Sequence, residues 1–211
     1  MSELYQKIKL SYQLSGFASH VTHVDNAEKI IQRGELISLK EIQNKGGAFK
    51  DIANSSVQFN RSLKKNIYQG HDLHDYVPLY FGTKTPMMAA LQDINDELVI
   101  LRFSLNLLGK YECLLADGNA ASAKTKFRPY TSIEDLEILN VEAINSQKFK
   151  DDPEKRRCKQ AELLVLKRLP LSELHHVICR TDMVKEKLEN LLKAHKGKVD
   201  VLKGYRNHYY L

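Results

Sequence analysis

The chain has 211 residues, and 32 Lys and Arg against 26 Asp and Glu give a formal charge of +6. An apolar fraction of 43% excludes disorder as the main state, and the length suits a single domain over residues 1–211. No apolar run approaches the roughly 20 residues of a transmembrane helix. The three cysteines are widely spaced, which favours a reducing cytoplasm over a disulfide scaffold. We expect a cytoplasmic protein without a membrane partner, and the positive charge hints at a polyanionic one.

The first predicted elements are a strand and a helix. Residues 17–24 have the composition of a strand. Asp25 followed by Glu28 predicts a capping box for a helix over 27–33, which ends at Gly34. Beyond them, residues 44–75 are rich in loop formers, and an ordered loop of this length is often functional.

The rest of the chain mixes strands and helices without the regular alternation of a doubly wound parallel sheet. We predict a short helix after Ser38, strands at 76–81, 98–103, 112–116, 162–166, 175–179 and 198–202, helices at 86–94 and 132–144, and an amphipathic helix from Thr181 to Gly197. The fold class is therefore α+β.

Histidines occur in three close pairs, which raises the question of a metal site. His20 and His23 lie three residues apart on a predicted strand, so their side chains point to opposite faces. No cysteine is placed to complete a zinc site, and we predict none. The histidines interpreted as ordinary surface or core residues are His23, His175, His176, His195 and His208.

Glu162 stands at the start of a predicted buried strand, directly after a basic stretch. A carboxylate held there is rigid and partly desolvated, which suits a group that orients a hydroxyl or accepts a proton. Spacing alone favours a salt bridge to a nearby cation. The basic stretch is either a solvated helix face or a phosphate contact. Tyr80 belongs to the aromatic strand 76–81, which indicates core packing or a platform for a heterocycle.

Four segments in chain order resemble the DarT family, bacterial ADP-ribosyltransferase toxins that modify DNA bases. The segments are HVTHVDN at 20–26, LHDYVPLYF at 73–81 with TPM at 85–87, DGNA at 117–120, and EKRR at 154–157 leading into AELLV at 161–165. The resemblance implies an ADP-ribosyltransferase-like fold, in which two small split β-sheets form an NAD cleft with helices around it. It also implies NAD as co-substrate and no metal.

The resemblance assigns roles to particular residues. Glu162 and Arg61 are the implied catalytic pair, with Glu162 stabilising the oxocarbenium-like centre that forms when the nicotinamide bond breaks. The implied NAD-binding residues are His20, Thr22, Asn26, Arg61 and Tyr80. The implied nucleic-acid-binding residues are His74, Lys84, Lys155, Arg156 and Arg157.

The implied function is mono-ADP-ribosylation of a base, thymidine in DNA by resemblance, in single-stranded nucleic acid. A toxin or anti-phage role follows, with an antitoxin protein as partner. Lys84 stands where the family often has an arginine, and Arg61 stands where it often has two. These departures leave RNA and other bases open. The Q-x-E spacing of Gln160 and Glu162 leaves a protein target open, and a non-catalytic nucleic-acid-binding module is a further alternative.

Overall fold

The computed structural model describes residues 3–193 and 199–210. Its strands are β1 (Phe17–His23), β2 (Glu35–Ile37), β3 (Tyr76–Tyr80), β4 (Leu98–Ser104), β5 (Cys113–Ala116), β6 (Phe127–Pro129), β7 (Glu162–Leu166), β8 (Arg168–Pro170), β9 (Leu174–Cys179) and β10 (Asp200–Lys203). Its α-helices are α1 (Glu3–Ser11), α2 (Val24–Arg33), α3 (Leu39–Asn44), α4 (Ser55–Ser62), α5 (Pro86–Ala90), α6 (Val141–Asn145), α7 (Pro153–Cys158) and α8 (Asp182–Leu192). Short 3₁₀ turns join several of them.

Eight strands form one sheet in the order β10-β9-β4-β1-β3-β7-β5-β6, and β2 pairs with β8 separately. The sheet is nearly divided at its centre. β1 and β4 pair at seven positions, and β3 and β7 at five, but β1 and β3 pair only at Ser19 with Tyr80. Two four-stranded halves therefore diverge from one shared pair. This arrangement confirms the predicted α+β class with a split sheet.

One apolar core extends across both halves on one face of the sheet. Helices α2 and α8 cover this face with the buried side chains of Ile30, Ile31, Val184, Leu188 and Leu192. Each such side chain contributes about 1.5–3 kcal/mol when it leaves water. The amphipathic pattern after Thr181 is confirmed, because its predicted apolar stripe packs on the sheet.

The opposite face carries two separate clusters. One includes Val21, Ile100 and Ile178 from β1, β4 and β9. The other includes Leu114 and Leu164 from β5 and β7. Apolar packing on this face is therefore interrupted at the β1–β3 boundary, where the sheet itself divides.

Two predicted helices are shorter than the pattern suggested. The segment 86–94 forms α5 and then a 3₁₀ turn at Gln92–Glu97, with a non-helical backbone at Ile94. The segment 132–144 forms a 3₁₀ turn and then α6, because the Asn140 side chain accepts a bond from the Ala143 amide and starts a new helix. Asp25 is not the N-cap of α2. His23 is, and its Nδ1 accepts from the Asp25 amide at 3.1 Å.

Several elements have weak sequence signals. Helix α4 lies inside the region predicted as loop, and α1, β2, β6 and β8 were not predicted. The expected edge strand is confirmed as β10, parallel to β9. His195 and Gly197 lie outside the described residues. Within the described ranges, no helix is long and apolar enough to cross a membrane.

Candidate active site

A buried ion pair joins Arg61 on α4 to Glu162 at the start of β7. Arg61 Nη1 donates to Glu162 Oε1 at 3.1 Å and to Oε2 at 3.0 Å. The Ala120 amide donates to Oε1 at 2.9 Å. Glu162 is 0% exposed and Arg61 9%. Because Oε1 has two donors and Oε2 has one, Oε2 keeps acceptor capacity for a further partner.

Tyr80 lies beside Glu162, since the two residues pair directly between β3 and β7. Its hydroxyl points to Met87 Sδ at 3.6 Å. Burial, together with the Glu162 charge, raises the pKa of Tyr80 above its ordinary value, although Arg61 partly opposes this. Tyr80 is therefore a neutral aromatic surface at the edge of the cleft, as a stacking role requires.

His20 and Thr22 stand on the other side of the division, on β1. His20 Nδ1 lies 3.0 Å from the Pro78 carbonyl of β3 and donates to it. Burial lowers the pKa of His20, partly offset by this bond, so the imidazole is neutral at neutral pH. In that tautomer Nε2 is an acceptor, which suits a ribose hydroxyl.

Asn26 holds a loop in place. Its Nδ2 donates to the Lys50 carbonyl at 2.7 Å, and its Oδ1 accepts from the Lys50 amide at 2.8 Å. A further bond from Nδ2 reaches Thr22 Oγ1 at 3.1 Å. Both ends of the Asn26 amide are thus used within the protein. Asn26 therefore fixes the segment around Lys50 next to Thr22. It also lines the cleft, where only the second lone pair of Oδ1 remains for a ligand.

The cleft consists of two adjoining cavities. The larger has a volume of about 730 Å³ and the smaller about 200 Å³. The residues that line both are His20, Thr22, Asn26, Phe49, Gln58, Arg61 and Pro78. Tyr80 lines the larger cavity. The combined volume is typical of an organic ligand site. Glu162 is in neither lining, because Arg61 covers it.

The predicted nucleic-acid residues fall into different places. Arg156 is exposed and lines the larger cavity, and His74 lines the smaller one. Burial and the Arg61 charge lower the pKa of His74. Lys155 pairs with Glu142 at 3.2 Å, outside both linings. Lys84 donates to the Arg206 carbonyl at 2.9 Å and also lies outside them.

Arg157 also lines the larger cavity, but carboxylates of the protein hold its guanidinium. Its guanidinium bonds Glu154 Oε1 at 2.6 Å and Asp117 Oδ1 at 2.6 Å. The Arg157 carbonyl accepts from the Asn119 amide at 3.0 Å. Arg157 therefore fixes the loop that carries the Ala120 amide to Glu162. The sequence does not indicate that Arg157 holds the DGNA loop, because the contact joins segments that are distant in the chain.

Comparisons with known proteins identify the family of the chain. A family model described as "DarT: ssDNA thymidine ADP-ribosyltransferase, DarT" matches residues 19–211. The chain belongs to the DarT family. This confirms the resemblance seen in the four sequence segments.

Known members of the DarT family resemble the chain in sequence and structure. A DNA ADP-ribosyl transferase of Thermus sp. (strain 2.9) is 29% identical over 184 residues, which cover 82% of the chain and 86% of the relative. The solved structure of Thermus sp. 2.9 DarT with ADP-ribosylated ssDNA superposes with a TM-score of 0.82 at 26% identity, covering 92% of the chain and 96% of that structure. Its complex with NAD⁺ gives 0.75 at 25% identity, covering 92% and 98%.

Proposed function

We propose that this chain transfers ADP-ribose from NAD to a thymidine base of single-stranded DNA. The observation that supports it most is the Arg61–Glu162 pair, buried beside a cleft between two sheet halves in a DarT-family chain. The related Thermus protein has been solved with NAD⁺ and with ADP-ribosylated ssDNA.

Different residues of the cleft bind different parts of NAD. Neutral His20 accepts from a ribose hydroxyl through Nε2, and Thr22 faces the nicotinamide amide. Tyr80 offers its ring to the nicotinamide. Arg61 lines the cleft and is attracted to the diphosphate. As the guanidinium turns toward the diphosphate, Oε2 of Glu162 becomes accessible from the cleft.

Glu162 then acts on the reacting ribose. Its Oε2 accepts a hydrogen bond from the 2′-hydroxyl, and its charge stabilises the oxocarbenium-like centre. The bond from C1′ to the nicotinamide nitrogen breaks, and nicotinamide leaves with the electron pair. A ring nitrogen of the base forms the new bond to C1′ and gives its proton to a carboxylate oxygen of Glu162. The Ala120 amide keeps the carboxylate oriented throughout.

The test is mass spectrometry of nucleosides from single-stranded DNA and RNA treated with enzyme and NAD. We expect ADP-ribosylated thymidine from DNA. Glu162→Gln should lose at least a hundredfold in rate, because it removes the charge that stabilises the transition state. Glu186→Gln, a control at an exposed carboxylate of α8 outside the cleft, should be fully active. If ADP-ribose were found only on RNA, on another base or on protein, thymidine in DNA would be wrong as the acceptor.

The toxin role rests on the same chemistry. Bulky modification of DNA bases blocks template use, so expression in bacteria should arrest growth, and Glu162→Gln should not. The proposed antitoxin is an enzyme that removes the ADP-ribose. Co-expression of an ADP-ribosyl hydrolase active on DNA should restore growth, and continued arrest despite unmodified DNA would refute this.

A further inference from the structure

Helix α4 presents apolar side chains to solvent on the face opposite its catalytic arginine. Phe59 is 63% exposed and Leu63 60%. They lie four residues apart, at the helix and its C-cap, and so form one stripe. Arg61 lies between them in sequence but on the other side of the helix, where it contacts Glu162. The same short helix thus joins the active site to an exposed aromatic surface.

The surroundings of this stripe are strongly basic. Residues 52–71 contain three Lys or Arg and no Asp or Glu, and residues 118–133 likewise contain three and none. The two segments meet where Lys64 Nζ donates to the Ser122 carbonyl at 2.9 Å. Gln58, Arg61, Asn119 and Ser122 from the same segments line the cleft. The basic surface is therefore continuous with the cleft.

Some cations of this surface are engaged and others are available. Lys65 pairs with Asp72 at 3.0 Å. Lys124 and Lys126 are exposed and have no ion pair among residues 3–193 and 199–210. A cationic loop beside an exposed aromatic ring suits single-stranded nucleic acid, because phosphates bind cations and unpaired bases stack on aromatic rings.

We propose that the outer face of α4, with the loop 121–126, binds nucleotides of the substrate strand that flank the modified base. Phe59 stacks on one base, Leu63 packs beside it, and Lys124 and Lys126 contact phosphates. The excess of cations around the stripe favours a polyanion over an apolar protein partner. The inference rests on the proposed function and adds the path of the strand outside the cleft.

The experiment measures binding and transfer separately. Binding of a fluorescein-labelled 20-nucleotide single strand is followed by anisotropy in the Glu162→Gln background, and transfer kinetics use that strand and a trinucleotide around the target. Phe59→Ala should weaken binding of the long strand about tenfold, the scale of one stacked base. It should raise KM for the long strand, leave kcat unchanged, and leave the trinucleotide and NAD binding unaffected.

Matched variants separate stacking from simple apolar contact. Phe59→Trp should keep long-strand affinity, whereas Phe59→Leu should lose it. Leu10→Ala, which removes a 75% exposed leucine on α1, is the control for surface truncation. Lys124→Ala with Lys126→Ala should flatten the dependence of log affinity on log salt by about 0.7 for each lysine.

The outcomes are distinguishable. Unchanged affinity of Phe59→Ala for the long strand, or equal behaviour of the Leu and Trp variants, overturns the proposed surface. The first result would make a protein the better candidate occupant. If the unmutated protein binds the strand through Phe59 but labels no base, the proposed function fails while this surface stands.

Discussion

Arg61 and Glu162 form a pair in which each residue needs the other. A buried charge without its partner is costly, and removing one member of a buried pair typically costs about 3–5 kcal/mol. Among the described residues, Arg61 is the only ion-pair partner of Glu162. The only other hydrogen-bond donor to its carboxylate there is the Ala120 amide. The stability of the fold and the proposed catalytic role thus depend on the same contact.

A double-mutant cycle tests this coupling. Arg61→Ala should lower the free energy of unfolding by about 3–5 kcal/mol, because it leaves Glu162 buried and unpaired. Arg61→Ala with Glu162→Gln should cost clearly less than the sum of the two single changes. Urea denaturation gives the free energies. Strictly additive losses would show that the two side chains do not stabilise each other.

Contacts between secondary-structure elements hold the walls of the cleft in position. The loop after α3 is bound to α2 by the two-way Asn26–Lys50 contact. Lys50 Nζ also lies 2.7 Å from His23 Nε2, which is 2.6 Å from Glu97 Oε2. These bonds hold one wall of the cleft against β1.

Asn26→Ala should loosen that wall and raise the Kd for NAD about tenfold, since two buried bonds to the Lys50 backbone are lost. Asn26→Asp keeps the acceptor for the Lys50 amide but loses the donor, so its Kd should lie between. Calorimetric titration with NAD measures both. An unchanged Kd in the alanine variant would show that the loop is held by other contacts.

The DGNA loop is held by close packing as well as by charge. A Cβ on Gly118 would clash with Arg157 Nη1 and lie 2.9 Å from the Arg157 carbonyl oxygen. Gly118→Ala should therefore displace the loop and its Ala120 amide, and lower kcat at least tenfold with little change in NAD affinity. Gly109→Ala, in an open turn, is unsuitable as a control because its φ is +82°. Gly82→Ala, whose added Cβ would come no closer than 3.4 Å to its neighbours, serves instead and should be fully active.

At the scale of the whole molecule, burial keeps four histidines neutral in the folded protein. Burial, followed by the charge of Arg102, lowers the pKa of His176 to about 4, and the pKa values of His20, His74 and His208 are also lowered, mainly by burial. The unfolded chain binds these protons near the ordinary value of 6.5, whereas the folded chain does not. Folding is therefore favoured above pH 6.5 and progressively less below it.

Acid sensitivity should follow. The free energy of unfolding should decline as pH falls from about 6.5 toward 4, before the paired carboxylates such as Glu154, with a pKa of about 2, contribute. His176→Gln should flatten this decline, because it removes one of these groups. Urea titrations at pH 7.5, 6 and 5 measure the slope. A constant stability over that range would contradict the prediction.

Sequence predicted the parts of the molecule whose signals are local. The strands around Tyr80 and Glu162 and the helix after Thr181 have strong apolar patterns, and the motif segments identified the family. Long-range contacts had no such signal. The pairing of Arg157 with Asp117, for example, joins residues 40 positions apart in the chain, so the sequence does not show it. Helix α4 was missed because its polar sequence, SSVQFNRS, has only a weak apolar stripe.

The single backbone pair between Ser19 and Tyr80 has a consequence for how the halves of the sheet open. Each half has its own continuous ladder, so each can exchange its amide hydrogens as a separate cooperative unit. We expect NAD bound in the proposed cleft to contact β1 on one side and β3 and α4 on the other. Such a ligand should link the two ladders into one cooperative unit, so that hydrogen exchange slows in both halves together.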